Sequence, residues 1–258
     1  MIMRKDKDFV SFFDEKTGQY VRSGIIKNGV ESAEDPFMAC FPELLDIGIM
    51  GHCKHGQSGL CLEAGVECYQ DGLHARAPNM TLEDFQEIVR QCRGNTYQIA
   101  LGGCGDPDQH EHFAEILDAC RSAGIVPNFT TSGLGLNSEL ACGCDHGYKI
   151  GFDSCSVPGL IAQSVDINLA SVDTCEGARW SAYITPDMAM LPCSFDNQAR
   201  RWAVDLKTHT IQEAWDSSVF EDFRRYFRQS CPDCEHRSAC MGGCPICREV
   251  VLCPGHTS

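Results

Sequence analysis

The stretch YQIALGGCGDP, residues 97–107, determines the fold predicted for this chain. Its first half has the apolar residues of a buried strand, and its second half is a glycine-rich loop. Amphipathic helices are predicted on either side of it, over residues 81–92 and 109–124. Two further strands are predicted at residues 42–51 and 125–133. This alternation of strand and helix is typical of an α/β fold with a parallel sheet and right-handed crossovers.

The two predicted helices each have one apolar face. Thr81 is expected to cap the first helix, and Gly124 is expected to end the second. The side chains expected to be buried are Phe85, Ile88, Val89 and Cys92 on the first helix, and Phe113, Ile116, Leu117 and Cys120 on the second. Cys92 and Cys120 are therefore interpreted as core residues rather than as metal ligands.

The three predicted strands end in residues suited to ligand binding. The first is followed by the loop GHCKHGQSGLCLEAGVECYQDG (51–72), the second by GGCGDP (102–107), and the third runs into FTTSG (129–133). Ligands of parallel α/β folds bind at the carboxyl ends of the strands, so the predicted site lies at this edge. His110 and His112, just beyond the second loop, are interpreted as solvated side chains.

Composition excludes several classes of function. The chain has 258 residues, 18 cysteines and a formal net charge of −15. This charge argues against nucleic-acid binding by bulk electrostatics. The sequence contains no run of about 18 apolar residues, so no membrane span is predicted. The amino-terminal stretch has no signal-peptide pattern. A cytoplasmic location is therefore expected, where structural disulfides are rare, so metal binding is the leading explanation for the many thiols.

The chain is predicted to have three parts. Residues 1–41 contain a hairpin, FVSFFDEKTGQYVRSGII, around a turn at residues 14–18. Residues 42–155 form the α/β part, which ends in a short strand at 148–155. Residues 156–258 are rich in loops and cysteines, with one short and one longer helix between residues 210 and 229.

Two groups of cysteines indicate metal centres. The tail stretch CPDCEHRSACMGGC contains Cys231, Cys234, Cys240 and Cys244, which is closer spacing than a zinc ribbon has. Spacing alone leaves an iron–sulfur cluster, a zinc ion or redox thiols open for this stretch. The loop after the first strand contains Cys53, Cys61 and Cys68. Three thiolates on a four-iron cluster would leave one iron open to a small molecule, and the alternative is that the three cysteines are buried apolar residues.

Together these motifs resemble the radical S-adenosylmethionine (SAM) enzymes that carry a SPASM domain for auxiliary clusters. The tail has the CX2CX5CX3C run of SPASM domains, and CEGARWSAYITPDMAMLPCSF (175–195) and IQEAWDSSVFEDFR (211–224) are similar to the stretches that precede it. LGGCGDP resembles the family's SAM-binding loop of the GGE type, and FTTSG resembles its Thr-Asn-Gly element. The resemblance covers roughly residues 42–253, and its most specific part is the tail.

The resemblance implies a cofactor site. Cys53, Cys61 and Cys68 would hold a [4Fe–4S] cluster whose open iron chelates SAM, and reduction would cleave SAM to methionine and a 5′-deoxyadenosyl radical. The residues implied to contact SAM are Gly102, Gly103, Cys104, Gly105 and Asp106 at its amino-acid portion, and Thr130, Thr131 and Ser132 on the nucleoside side. Such a cofactor carries the difficult chemistry, while the protein orients the substrate.

The resemblance also implies up to two auxiliary clusters. Cys231, Cys234 and Cys240 would bind one of them together with Cys253 or Cys247. The ligands implied for the other are Cys155, Cys175, Cys193 and Cys244. The family implies an oxidoreductase of the peptide-maturase type that acts on a peptide or protein under anaerobic conditions, with flavodoxin or ferredoxin as electron donor.

The sequence departs from the family in three places. The first cysteine motif is CX7CX6C instead of CX3CX2C, and Cys104 stands where the GGE-type loop has glutamate. Only about 16 residues lie between Thr131 and Tyr148, too few for a strand crossover, so the partial barrel is predicted to be shortened. Two other interpretations therefore stay open: a non-catalytic iron–sulfur or zinc protein derived from such an enzyme, and a zinc-binding interaction module.

Overall fold

The computed structural model describes residues 1–31, 37–59, 63, 72–129, 175–229 and 244–247. Its strands are β1 (Ile2–Lys5), β2 (Phe9–Phe13), β3 (Tyr20–Gly24), β4 (Ile26–Lys27), β5 (Val30–Glu31), β6 (Leu44–Met50), β7 (Gln98–Gly103), β8 (Val126–Phe129), β9 (Ser181–Ile184), β10 (Ala189–Leu191) and β11 (Val204–Asp205). Its helices are α1 (Lys54–Ser58), α2 (Leu82–Cys92), α3 (Phe113–Ser122), α4 (Ile211–Trp215) and α5 (Ser218–Gln229), with 3₁₀ turns at Pro107–Gln109 and Ser194–Asp196.

A six-stranded sheet organises the described residues, in the order β11-β10-β9-β6-β7-β8. β6, β7 and β8 pair in parallel, which confirms the sheet predicted from the alternating strands and helices. β9 pairs in parallel with the other edge of β6, and β10 and β11 follow it antiparallel. The sequence did not predict these last three strands. They attach the cysteine-rich half directly to the sheet that begins at β6.

The hydrophobic core lies on the outer face of this sheet, which is the face that α2 and α3 cover. Leu45, Ile47 and Ile49 alternate along β6 and are fully buried in one cluster with the apolar faces of α2 and α3. Burying a side chain of this size stabilises the fold by about 1.5–3 kcal/mol. The predicted cap is also confirmed, because the Thr81 hydroxyl accepts a hydrogen bond from the Asp84 amide at 3.1 Å.

Three side chains outside the site test the sequence interpretation. Cys92 and Cys120 are fully buried, and burial raises the pKa of each thiol to about 12, as expected of core residues. The interpretation of His110 as solvated is wrong. Its ring is buried, with Nε2 2.9 Å from the Met80 carbonyl oxygen, because the segment before α2 folds over it.

The amino-terminal segment forms a separate three-stranded antiparallel sheet, β1-β2-β3. The predicted hairpin is confirmed as β2 and β3, and β1 adds a strand that was not predicted. Glu43, just before β6, joins the two sheets. Its buried carboxylate accepts hydrogen bonds from the Ser11 hydroxyl at 2.8 Å, from the Tyr20 hydroxyl, and from Arg22 Nε at 3.2 Å.

Removal of the Glu43 carboxylate should destabilise the protein strongly. Glu43→Ala leaves the largely buried Arg22 guanidinium without its carboxylate, and breaking a buried ion pair in this way costs about 3–5 kcal/mol. Urea denaturation of this variant and of Glu15→Ala, an exposed residue of the hairpin turn, measures the effect. Glu15→Ala should change the free energy of unfolding by less than about 0.5 kcal/mol. Equal effects of the two substitutions would contradict a joining role for Glu43.

Several sequence predictions lie outside the described residues. These are the strand at 148–155, the proposed boundary near residue 155, and the interval at 134–147 where the barrel is predicted to be shortened. The two predicted helices of the tail are confirmed as α4 and α5. Among the helices of the described ranges, none has the length and apolar character needed to cross a bilayer.

Candidate cofactor and cluster site

Cys53 lies in the loop that follows β6, at the carboxyl end of the parallel strands. Its side chain is 8% exposed, and its backbone is extended at the first position before α1. The Sγ atom accepts a hydrogen bond from the Gly56 amide at 3.2 Å. A thiolate is the form that binds iron, and a backbone amide directed at sulfur stabilises that form. The environment of Cys53 therefore suits a cluster ligand.

The glycine-rich loop after β7 presses against the loop that carries Cys53. Gly103 has φ +115°, and a β-carbon there would overlap the Met50 carbonyl oxygen and lie 2.8 Å from the Met50 amide nitrogen. A β-carbon at Gly105 would lie 2.5 Å from the His52 carbonyl oxygen and 3.0 Å from the Cys53 Cα. Only glycine fits at these two positions. The backbone of this loop can therefore come close to anything that Cys53 holds.

Polar contacts tie the same two loops together. His55 Nε2 lies 3.7 Å from Asp106 Oδ2, and the Lys54 ammonium donates to the Gln109 carbonyl oxygen at 3.1 Å. His55 is buried, and its Nε2 has no hydrogen-bond partner among the residues that the structure describes. A buried ring nitrogen, a buried thiol and a glycine cradle at one sheet edge fit a bound polar group such as a cluster with its ligand.

The inner face of the sheet, opposite the helices, carries a carboxyl and a phenol side by side. Asp46 on β6 is in register with Tyr183 on β9. The Tyr183 hydroxyl occupies the space where a side chain at residue 48 would lie, so only glycine fits there. Asp46 Oδ1 lies 3.9 Å from the position that a β-carbon of Gly102 would take. Both side chains therefore lean over glycines toward the carboxyl end of the sheet.

Burial changes the acidity of both groups. It raises the pKa of Asp46 to about 7, and the nearby Glu176 carboxylate adds to the rise. Burial also raises the pKa of Tyr183, and the Asp46 and Cys104 charges act in the same direction. Asp46 can thus hold or release a proton near neutral pH, while Tyr183 stays a neutral phenol.

The raised pKa of Asp46 should make stability depend on pH. The native carboxyl keeps its proton up to about pH 7, whereas in the unfolded chain the carboxyl releases it at the ordinary aspartate pKa of 3.8. Because the native state then binds more protons, wild-type stability falls as the pH rises between these values and is constant above them. Asp46→Asn has no carboxyl group to ionise, so the stability of this variant does not fall for this reason as the pH rises. Its free energy of unfolding should exceed that of wild type by a margin that grows with pH to at most about 4 kcal/mol.

Denaturation of both proteins in urea at pH 5, 6, 7 and 8 measures this margin. Asp118→Asn, an exposed aspartate of α3, is the matched control and should show no such trend. A margin between wild type and Asp46→Asn that stays constant from pH 5 to 8 would contradict the raised pKa.

The structure also brings together part of the second predicted ligand group. Burial raises the pKa of the Cys175 thiol to about 11, and the charge of the Cys244 thiolate acts in the same direction. A β-carbon at Gly177 would lie 3.7 Å from Cys175 Sγ and 3.0 Å from the Pro192 carbonyl oxygen, which directly precedes Cys193. A set of thiols with a glycine among them fits an iron–sulfur cluster.

Two buried arginines lie around this group of cysteines. Arg179 Nε donates to the Cys175 carbonyl oxygen at 2.6 Å, and Arg224 Nε donates to the Ala178 carbonyl oxygen at 2.6 Å. Arg179 stacks over Trp180, and Arg224 stacks over Trp215. These contacts hold the backbone on either side of Gly177 in place and add positive charge beside the thiols.

The structure describes only part of the predicted set of site residues. Cys53 lies beside the Gly102–Asp106 loop, and the Cys247 amide donates to Cys244 Sγ at 3.2 Å. The predicted site residues that lie outside the described ranges are Cys61, Cys68, Thr130, Thr131, Ser132, Cys155, Cys231, Cys234, Cys240 and Cys253. Within those ranges, no three His, Cys, Asp or Glu side chains form a site for a single metal ion.

Sequence reasoning missed Asp46 and Tyr183. The stretch LLDIGIM (44–50) does contain a signal for Asp46, because an aspartate alternates there with buried Leu45 and Ile47 in a strand that is otherwise apolar. Tyr183 had no such signal. Its place depends on the pairing of β9 with β6, which joins residues far apart in the sequence.

Comparison with known families gives a match to part of the second half of the chain. Residues 175–236 match the SPASM domain, described as an iron–sulfur cluster-binding domain. The match includes Cys175, Cys193, Cys231 and Cys234. The predicted SPASM domain and its iron–sulfur character are thus confirmed, and the ligand role of each cysteine stays a prediction. No curated protein matches the whole sequence significantly.

Comparison with solved structures identifies the fold. SuiB from Streptococcus suis, solved with S-adenosylmethionine bound, is 14% identical and has a TM-score of 0.55, with 81% of this chain and 74% of SuiB covered. SuiB solved with its precursor peptide SuiA gives 12% identity, 81% and 73% coverage and the same TM-score. BtrN, solved with AdoMet and 2-DOIA, is 13% identical over 72% of this chain and 86% of its own, with a TM-score of 0.49. The chain shares its fold with SuiB, which confirms the predicted α/β class.

Proposed function

We propose that this chain, which joins the fold type of radical SAM proteins to a SPASM domain, is a radical SAM enzyme that modifies a peptide or protein. One observation carries the proposal. The loop with Cys53 lies against the Gly102–Gly105 loop at the carboxyl end of the parallel strands, in a fold shared with a protein solved with SAM bound. The carboxyl end is where parallel α/β folds bind their ligands.

The proposal assigns roles to residues of this chain. Cys53, Cys61 and Cys68 would hold a [4Fe–4S] cluster, and the backbone amides of Gly102–Gly105 would orient the amino-acid portion of SAM. Thr130, Thr131 and Ser132 would bind its nucleoside side. When bound, this cluster supplies the electron that cleaves SAM into methionine and a 5′-deoxyadenosyl radical, which takes a hydrogen atom from the substrate.

The second half would hold the auxiliary clusters. Cys175, Cys193 and Cys244 would bind one of them with Cys155 as the fourth ligand. The thiols proposed for the other are Cys231, Cys234 and Cys240 together with Cys253 or Cys247. The electrostatic influence of Cys244 on the Cys175 thiol supports the crossover of Cys244 to the first of these clusters. Flavodoxin or ferredoxin would deliver the electron.

A peptide or protein is the substrate class that we propose. The likeness to SuiB supports it, since SuiB has been solved with the precursor peptide SuiA. The bond formed on the substrate stays open. Hydrogen abstraction suits both crosslinking and side-chain oxidation, because each begins at an unactivated carbon.

Anaerobic reconstitution with iron and sulfide tests the proposal. Each [4Fe–4S] cluster should add about four irons and four sulfides per chain. With a reductant such as dithionite, the reconstituted protein should convert SAM to 5′-deoxyadenosine. A well-folded protein that takes up neither iron nor sulfide under these conditions would overturn the proposal, and stoichiometric zinc in its place would support an interaction module.

A second candidate function is a non-catalytic iron–sulfur protein. The short interval between Thr131 and Tyr148 favours it, because two strand–helix units of the barrel do not fit there. Clusters that form fully while no 5′-deoxyadenosine appears would support this candidate over the enzyme.

A further inference from the structure

Asp46 and Tyr183 form a pair that none of the assigned roles uses. They are register partners on adjacent parallel strands, so their side chains lie on the same face of the sheet. Ala100, the register partner of Asp46 on the other side, is small, and Gly102, two residues further along the same face, has no side chain. Among the described residues, only Asp46 Oδ1, at 3.9 Å, comes within 4 Å of the position of a Gly102 β-carbon, so this face of the sheet is open there.

The Tyr183 hydroxyl is the clearest indication of a ligand. The side chain is 4% exposed, and no hydrogen bond joins its hydroxyl to the residues that the structure describes. The oxygen is not one of the fully enclosed polar atoms that lack a partner, so it can reach a ligand beside the sheet. Because the ring lies over Gly48, with Cζ 3.1 Å from the position of its absent β-carbon, the hydroxyl is held in place and directed at this space.

The charges around the pair favour a positive ligand. Asp46 faces the Tyr183 phenol and the Glu176 carboxylate. Tyr183 faces Asp46 and Cys104, and from further along the chain Asp187 and Arg200. The Arg200 guanidinium is engaged by Asp187, with nitrogen–oxygen distances of 2.6 and 3.0 Å. Above about pH 7, where Asp46 is ionised, the potential at the pair is negative, and its oxygen atoms can accept hydrogen bonds from a cation.

We propose that Asp46 and Tyr183 form a subsite that binds a cationic group, with the Asp46 carboxylate and the Tyr183 hydroxyl accepting its hydrogen bonds or facing its charge. The identity of this cation, and only that, rests on the proposed function. It is either a basic side chain of the substrate or the positively charged end of SAM itself. The two sources share this chemistry and differ in what must be added to the protein to observe binding.

Two binding measurements on the reconstituted protein separate the sources. Isothermal titration gives the affinity for SAM alone. Saturation-transfer NMR then gives the affinity for n-butylammonium, which mimics a lysine side chain, in the presence of saturating SAM. 1-Butanol, an uncharged molecule of the same length, is the matched probe and should bind equally to wild type and variants.

Two conservative variants test the pair. Asp46→Asn keeps the size of the side chain and removes its charge, and Tyr183→Phe removes only the hydroxyl. Loss of a charged hydrogen-bond acceptor should weaken binding of the cation about tenfold, and loss of the hydroxyl about threefold. Asp118→Asn, on the exposed surface of α3, is the control and should leave both affinities unchanged. Thermal melts show that each variant is folded.

Weaker binding of SAM in both variants identifies SAM as the cation, and weaker binding of n-butylammonium alone identifies a substrate side chain. Either result supports the subsite. Unchanged affinity for both cations in Asp46→Asn and Tyr183→Phe overturns it, whether or not SAM is cleaved. If the variants weaken binding of a cation while no 5′-deoxyadenosine is formed, the subsite stands and the proposed enzymatic activity fails.

Discussion

Cys53→Ala should abolish SAM cleavage and leave the auxiliary clusters intact. Cys53 is the first cysteine after β6, and its thiol is buried. Its Sγ accepts a hydrogen bond from the Gly56 amide. Loss of a group that only supports a metal ligand already costs about 10–100-fold in activity or metal affinity. Loss of a ligand itself should exceed that, so 5′-deoxyadenosine formation should fall by more than about 100-fold. Chromatographic assay of 5′-deoxyadenosine measures it, and iron content should drop by about four per chain.

Cys40→Ala is the matched control for this substitution. Cys40 is exposed, and its thiol donates to Asp6 Oδ1 at 2.9 Å. This hydrogen bond raises the pKa of the Cys40 thiol to about 11, and Cys40 belongs to neither of the proposed groups of ligands. Cys40→Ala should retain the wild-type iron content and rate. If Cys53→Ala cleaves SAM at the wild-type rate, the first cluster is not where we place it.

Gly103→Ala should both destabilise the protein and weaken SAM binding. Gly103 has φ +115°, a conformation that L-residues rarely adopt, and the new methyl group would overlap the Met50 carbonyl oxygen. The strained backbone costs about 1–2 kcal/mol, and forcing an atom into a packed contact typically adds about 1–3 kcal/mol. The free energy of unfolding should therefore fall by about 3 kcal/mol. Because the loop must move away from β6, the affinity for SAM should fall as well.

Gly124→Ala separates the cost of backbone strain from the cost of steric overlap by the new methyl group. Gly124 also has a positive φ, +72°, but nothing lies within 4 Å of the position of its β-carbon. Its substitution should cost only the backbone strain, about 1–2 kcal/mol, and should leave SAM affinity unchanged because the residue follows α3 away from the site. Urea denaturation and equilibrium dialysis with SAM measure the two effects. Equal losses of stability in both variants would show that the loop tolerates a side chain at residue 103.

Local features of the fold were predictable because each depends on residues close together in the sequence. The apolar faces of α2 and α3 follow from apolar residues at helical spacing. The cap follows from the position of Thr81, whose hydroxyl lies three residues before the Asp84 amide that it binds. The hairpin of β2 and β3 follows from a polar turn between two apolar runs. The motifs of the tail were predictable for another reason, since cysteine spacing reflects the geometry of the cluster that a SPASM domain binds.

The sequence by itself determined the parallel sheet, its helices and the edge at which Cys53 and the Gly102–Gly105 loop meet, because strand–helix alternation brings successive strand ends to one side. The tertiary structure alone decided that β9 pairs with β6 and so sets Tyr183 beside Asp46. It also decided that His110 is buried. Strand pairing across more than 130 residues is selected by the packing of the whole sheet, and no local pattern of residues encodes it.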